Sequence, residues 1–207
     1  MIATLAVGLS LSKARATTAC QTSDVRLQVL GSGGPELDDG RASSSYIIWQ
    51  HEKATVLLDV GPGSSVNFGA SGADFSDIKA LLLPHLHVDH SANLPAFIKG
   101  SYFTSRNQDL SIWGPEGNTL MPSTREYVTR LLDAKGAFAY LSDYTEANSQ
   151  AHNISLTPHK QRSVKINDNI TLIASAVHHG PIAAVAWRVD FADCSITFSR
   201  DMSNQQR

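Results

Sequence analysis

Apolar and polar residues alternate over residues 25–30, the two-residue period of a half-buried strand. That run breaks at Gly31-Ser32-Gly33-Gly34-Pro35, where the chain must turn sharply. Two β-rich blocks, 45–49 and 55–58, flank a polar stretch at 50–53 and predict a hairpin. Asp59 closes the second block and leads into Gly61-Pro62-Gly63, after which a short helix is predicted over 64–70. A continuous apolar run at 80–83 has the character of a strand buried on both faces. A histidine-rich loop follows, then a predicted helix over 92–98 and a strand over 110–113 that stops at Gly114-Pro115. Tyr127, Leu131, Leu132 and Ala134 recur at helical spacing, which predicts a helix over 124–138 with Ser123 as its N-cap. Apart from that helix, residues 118–153 read as a polar loop. The last third is β-rich, with strands expected at 154–157, 163–166, 170–177, 183–189 and 195–199, two of them joined by the turn Asn167-Asp168-Asn169. Strands crowd both ends and helices the middle, so an α/β fold of two packed sheets with outer helices is predicted. Trp187 and Phe191 are assigned to the core or a sheet.

Composition changes this picture little. The 207 residues are 42% hydrophobic and 17% charged, enough for one sizeable domain, and no repeat or linker divides it. A net charge of −2 offers no general basic field for nucleic acid. No apolar run approaches the roughly 20 residues of a membrane-spanning helix. Residues 2–11 are apolar and small, and Ala14-Arg15-Ala16 has the form of a cleavage site. Residues 1–19 are therefore expected to be an export signal or a disordered N-terminus, and residues 20–207 the folded domain. The expected location is periplasmic or secreted, with cytoplasmic as the alternative, because the basic start of a signal is missing. Cys20 and Cys194 could pair in an oxidising compartment, and neither has zinc-ligand spacing.

The informative chemistry lies in Pro84-His85-Leu86-His87-Val88-Asp89-His90. Imidazole nitrogens and a carboxylate suit zinc, and also iron or manganese. In an extended segment His85 and His87 point to the same side. Asp89 and His90 follow where the loop enters the next helix, so one pair can hold one cation and the next pair a second. Two cations about 3.5–4 Å apart can share a hydroxide that is a nucleophile at neutral pH.

This HxHxDH run resembles the signature of the metallo-β-lactamase superfamily, and the wider pattern looks like its ribonuclease Z-like and arylsulfatase-like branch. The matching stretches are LGSGGP (30–35), LLDVGPG (57–63), LLLPHLHVDHSANLP (81–95), WGPEGN (113–118), AVHHGPIAAVAWRV (176–189) and ITFSRDMS (196–203). The resemblance implies an αββα sandwich of two mixed sheets with outer helices. It assigns His85 and His87 to a first divalent metal and Asp89 and His90 to a second, with zinc expected and iron or manganese as alternatives. It adds His179 as a further ligand, with His178 its neighbour, and Asp201 as the bridging carboxylate. Asp59 is expected to orient a ligand without binding metal. His51, His152 and His159 match no motif and read as surface residues. Two departures stand out: Arg200 precedes Asp201 where the family has glycine, and no histidine follows His179 to complete the second site. The domain is accordingly expected to lack its last part.

By resemblance, the expected chemistry is hydrolysis by a metal-activated water, with Asp89 as the catalytic carboxylate that orients it and moves its proton. The expected substrate is a small-molecule ester, sulfate ester, lactone or phosphodiester. A tRNA 3′-endonuclease of the ribonuclease Z kind is the alternative. The export pattern, the slightly acidic charge and the absence of a long tRNA-gripping arm between His179 and Asp201 argue against nucleic acid. An inactive remnant is the third reading. A homodimer is compatible with the sequence.

Overall fold

This computed structural model describes residues 24–199 together with Asp201 and Met202. The expected export signal, Cys20 and Arg200 lie outside the described residues. Ten strands form two sheets. The first runs β1 (Val25–Gly31), β2 (Ser45–Gln50), β3 (Lys53–Leu58), β4 (Ala80–Leu82), β5 (Leu110–Pro115) and β6 (Ser149–Ile154), in that spatial order. β1, β2 and β3 pair antiparallel, and β3 to β6 pair parallel. The second sheet has the order β10 (Ser195–Phe198), β9 (Val185–Asp190), β8 (Thr171–Ala176), β7 (Gln161–Lys165) and is antiparallel throughout.

The two sheets pack face to face. Ile48, Val56, Leu58, Ala80 and Leu82 of the first meet Leu172, Ala174, Val185, Trp187 and Val189 of the second. The opposite face of the first sheet, through Ile47, Leu57, Leu81 and Ile112, meets Phe68 of α1 (Ser64–Ala70), Leu94, Phe97 and Ile98 of α3 (Leu94–Ser101), and Val128 and Leu132 of α4 (Thr124–Leu132). β3 and β4 are therefore buried on both faces, which is why they read as unbroken apolar runs. Two further α-helices, α2 (Val88–Ser91) and α5 (Ser142–Asn148), and two short 3-10 turns, Phe75–Asp77 and Ala139–Leu141, complete the helical set among the described residues. No described helix is long and apolar enough to cross a membrane.

Local departures from the sequence reading have identifiable causes. The helix expected at 92–98 is displaced: α2 already begins at Val88, and α3 restarts at Leu94 with Pro95 in its first turn. The helix expected to reach 138 stops at Leu132, because the Asp133 cap is extended and Ala137 and Phe138 fold back to bond Arg130 and Leu131 carbonyls. The strand expected at 154–157 is instead β6, ending at Ile154, and the supposed polar loop before it contains α5. β6 is rich in polar residues because it is an edge strand, so hydrophobic alternation could not reveal it.

Candidate metal centre

Parallel strands β3 and β4 end side by side, and each end delivers a functional group. Ligand sites in α/β sheets form beyond such carboxyl ends. Leu83 N–H bonds to the Trp113 carbonyl at 2.8 Å, and Val185 N–H to the Pro84 carbonyl at 2.8 Å, so the segment leaving β4 is held by both sheets. His87 is extended (φ −61°, ψ 154°), which places His85 and His87 on the same side. α2 then turns Asp89 and His90 toward the same point. Val60 N–H donates to the His90 carbonyl at 2.8 Å, and the Ser91 hydroxyl donates back to the His87 carbonyl at 2.9 Å. Tyr127 of α4 donates its hydroxyl to the Ser91 carbonyl at 3.0 Å and braces α2 from outside.

The second sheet contributes from the other side. His179 follows β8, and Asp201 follows β10. His85 Nε2 lies 3.1 Å from His87 Nδ1, and His179 Nε2 lies 3.4 Å from His87 Nδ1. Asp201 Oδ2 lies 3.7 Å from His85 Nε2 and 3.9 Å from His179 Nε2. It also lies 3.4 Å from His90 Nε2, which is 3.3 Å from Asp89 Oδ2. Two overlapping groups result: His85, His87, His179 and Asp201, and Asp89, His90 and Asp201, with the atoms of each group within 4.8 Å of one another.

This donor set fits cations. Ligand atoms around tetrahedral zinc at about 2.0–2.1 Å stand roughly 3.3 Å from one another, and the separations given above, 3.1 to 3.9 Å, lie around that value. Histidine Nε2 and Nδ1 lone pairs aimed at one another gain little unless a proton or a cation lies between them. Burial, reinforced by the neighbouring imidazoles of His90 and His87, pushes the His85 pKa down to about 3, so its lone pair stays open across the physiological range. His90 goes the other way. Its burial works against the charged form, but Asp59, through a hydrogen bond and its charge, together with Asp89 and Asp201, holds its pKa above the ordinary value.

Asp59 is wholly buried just past the end of β3 and is a member of neither ligand group. Its Oδ2 faces His90 Nδ1 at 3.0 Å, which turns the other ring nitrogen inward. Ser44 donates its hydroxyl to that Oδ2 at 2.8 Å, and Ser45 donates to the Asp59 backbone carbonyl at 2.8 Å. The backbone of Asp59 is left-handed (φ 59°), a conformation tolerated by aspartate. Sequence reasoning missed Ser44, Ser45 and Tyr127. The run of serines at 43–45 was the available signal, since hydroxyls entering a buried strand need acceptors. Gly61 was also underrated: a Cβ there would stand 2.1 Å from the Asp89 carbonyl oxygen. His178 is exposed and belongs to neither ligand group. His152 is no free surface residue, because it is half-buried and stacks on Trp113 with centroids 4.0 Å apart. Cys194 is buried and is not a free thiol.

Two layers of β-sheet, a ligand loop leaving β4 and partners arriving from β8 and β10 define this chain as a metallo-β-lactamase-fold domain, and residues 38–106 match the model of the Metallo-beta-lactamase superfamily. Within that superfamily the sequence is similar to ribonuclease Z of Mycobacterium sp. (strain KMS), 29% identical over 186 residues that cover 86% of this chain and 61% of the relative. The chain thus spans about three fifths of the length of that relative. Two solved structures share the fold. The metallo-β-lactamase fold protein YhfI from Bacillus subtilis has a TM-score of 0.64 at 16% identity, covering 88% of this chain and 64% of that one. The short form of human tRNase Z has a TM-score of 0.61 at 16% identity, covering 83% and 67%. These likenesses overturn the expectation that nucleic acid is an improbable partner. That expectation leaned on the export pattern, the missing arm between His179 and Asp201, and net charge, the last of which sums the whole surface and is silent on the path into one site.

Proposed function

We propose that this chain is a metal-dependent hydrolase that cleaves phosphodiester bonds in RNA, in the manner of ribonuclease Z. The carrying observation is the pair of ligand groups sharing Asp201, set at coordination spacing by residues from both sheets. The RNA substrate is supported by the similarity to ribonuclease Z over most of the chain. His85, His87 and His179 with Asp201 would hold one divalent ion, and Asp89 and His90 with the same Asp201 a second. Zinc suits this mixture of imidazole and carboxylate, and iron and manganese accept it too. Bound there, such ions supply Lewis acidity toward a phosphoryl oxygen and ionise water near neutral pH.

The protein's own groups do the rest. Asp89, at the start of α2 and mostly buried, presents an acceptor that can orient a water and take its proton. Ser44 and Asp59 hold His90 in one orientation. The backbone bonds from Val60 and Val185 keep the loop at 85–90 from shifting when charge develops.

The test is cleavage of a 3′-extended tRNA precursor by the zinc- or manganese-loaded chain. Endonucleolytic products that vanish with chelator are expected. In His87→Ala the rate should fall by more than the roughly 100-fold that loss of a mere supporting contact costs. If the RNA stays intact while a bis-aryl phosphate is hydrolysed, the RNA substrate is wrong. If neither is cleaved and no metal survives dialysis, the enzyme reading falls.

A further inference from the structure

His179 differs from its partners in how it is held. Its side chain is 22% exposed, against 1% for His85 and 3% for His90. The other histidine ligands share one short segment pinned by both sheets, whereas His179 sits in the connection from β8 to β9, just before Gly180 in the left-handed region (φ 57°). Within that connection Ile182 N–H closes back on the His179 carbonyl at 3.1 Å. At its far end Val185 N–H reaches the Pro84 carbonyl. In the middle, the side-chain amide of Asn118 donates to the Pro181 carbonyl at 2.8 Å, a contact across 63 residues of sequence.

Asn118 itself has no freedom to turn away. Its Oδ1 accepts from the Leu120 and Met121 amides at 2.9 and 3.0 Å, and its backbone N–H donates to the Met121 carbonyl at 2.8 Å. With the oxygen occupied by two donors, the NH2 group must face Pro181. The turn around it is equally fixed. Gly117 is left-handed (φ 85°), and a Cβ there would meet Ser123 N at 2.4 Å. Ser123 in turn caps α4 by accepting from Glu126 N–H at 3.2 Å. A rigid turn anchored on α4 therefore reaches the loop that bears His179.

We propose that Asn118 is a positioning residue for His179, acting through the Pro181 carbonyl to hold the His179 loop at ligand distance from His87. The proposal rests on the metal-centre reading above for its consequence, but not for its geometry. Asn118→Asp isolates the contact. A carboxylate keeps an acceptor for the Leu120 and Met121 amides and cannot donate to Pro181. Asn118→Ala removes both functions.

The experiment uses the whole chain. Amide exchange is followed in the metal-free protein, and zinc affinity is measured by competition with a chromophoric chelator. In Asn118→Asp, exchange at Ile182 should rise and zinc affinity should fall, each by roughly five-fold, the worth of one net hydrogen bond. Exchange at Tyr127, whose amide bonds to Ser123 inside α4, should stay unchanged. In Asn118→Ala both α4 and the loop should loosen. Ile182 exchange and zinc affinity both within two-fold of wild type in Asn118→Asp would overturn the proposal. A wild-type chain that holds neither zinc, manganese nor iron would overturn the hydrolase reading, and Ile182 exchange alone would then decide the positioning role.

Discussion

Replacing Asp59 by Asn tests whether one buried charge organises the second ligand group. Asparagine is nearly the same size and tolerates the left-handed backbone at this position (φ 59°), so the end of β3 keeps its path. Ser44 retains an amide oxygen as acceptor in place of Oδ2. What disappears is the negative charge 3.0 Å from His90 Nδ1, which keeps a proton on that nitrogen and leaves Nε2 directed at Asp89 and Asp201. Loss of such a supporting partner costs about 10–100-fold in metal affinity, or about 1.4–2.7 kcal/mol. A second effect shows in the metal-free protein. The pKa of His90 is raised: burial, the largest single cause, opposes this, but the hydrogen bond and charge of Asp59 together with the charges of Asp89 and Asp201 outweigh it. A histidine whose folded pKa is raised adds stability below its ordinary value of 6.5, and that stability is lost as pH rises through the folded value. Metal-free Asp59→Asn should therefore lose most relative to wild type near pH 5.5 and least near pH 9, values chosen to bracket the ordinary histidine range. Chelator competition and urea unfolding at the two pH values measure both effects. Zinc affinity within two-fold of wild type, together with a pH-independent stability difference, would refute the reasoning.

Two further outcomes are expected. Gly61→Ala should destabilise the chain by about 1–3 kcal/mol in urea unfolding, because its Cβ would lie 2.1 Å from the Asp89 carbonyl oxygen and 2.7 Å from the Ser43 Cβ. Gly69→Ala in α1, where nothing stands within 4 Å, is its control and should be neutral or stabilising; equal effects of the two would contradict the close-approach argument. His152 should titrate below 6.5 by NMR, since burial first, then Arg125 and Arg162, disfavour its charged form. Its contribution to stability is thus present above 6.5 and lost as pH falls. Arg162→Ala should move the titration back upward, and a His152 that protonates above its ordinary value in the wild type would refute its burial beside these arginines.

Much of the centre was legible along the chain because its donors are concentrated. His85, His87, Asp89 and His90 lie within six residues, so the local run from an extended segment into a helix sets their mutual geometry. The strands β3 and β4 were equally plain, since burial on both faces demands an unbroken apolar run. His179 and Asp201 carried no such local signal, and only family resemblance singled them out. Their meeting with the loop depends on how the second sheet lies against the first, through Trp187 and Leu172 packed on Leu58 and Leu82. β6 and α5 escaped notice because an edge strand and a short polar helix owe their form to neighbours, not to their own pattern. Ser44, Tyr127 and Asn118 belong with them: each acts through a hydrogen bond to a residue at least 15 positions away. Sequence by itself determined the period of each buried element and the donors that lie close together on one segment. The tertiary structure alone decided which distant groups converge, because that follows from packing two sheets whose contacts are far apart along the chain.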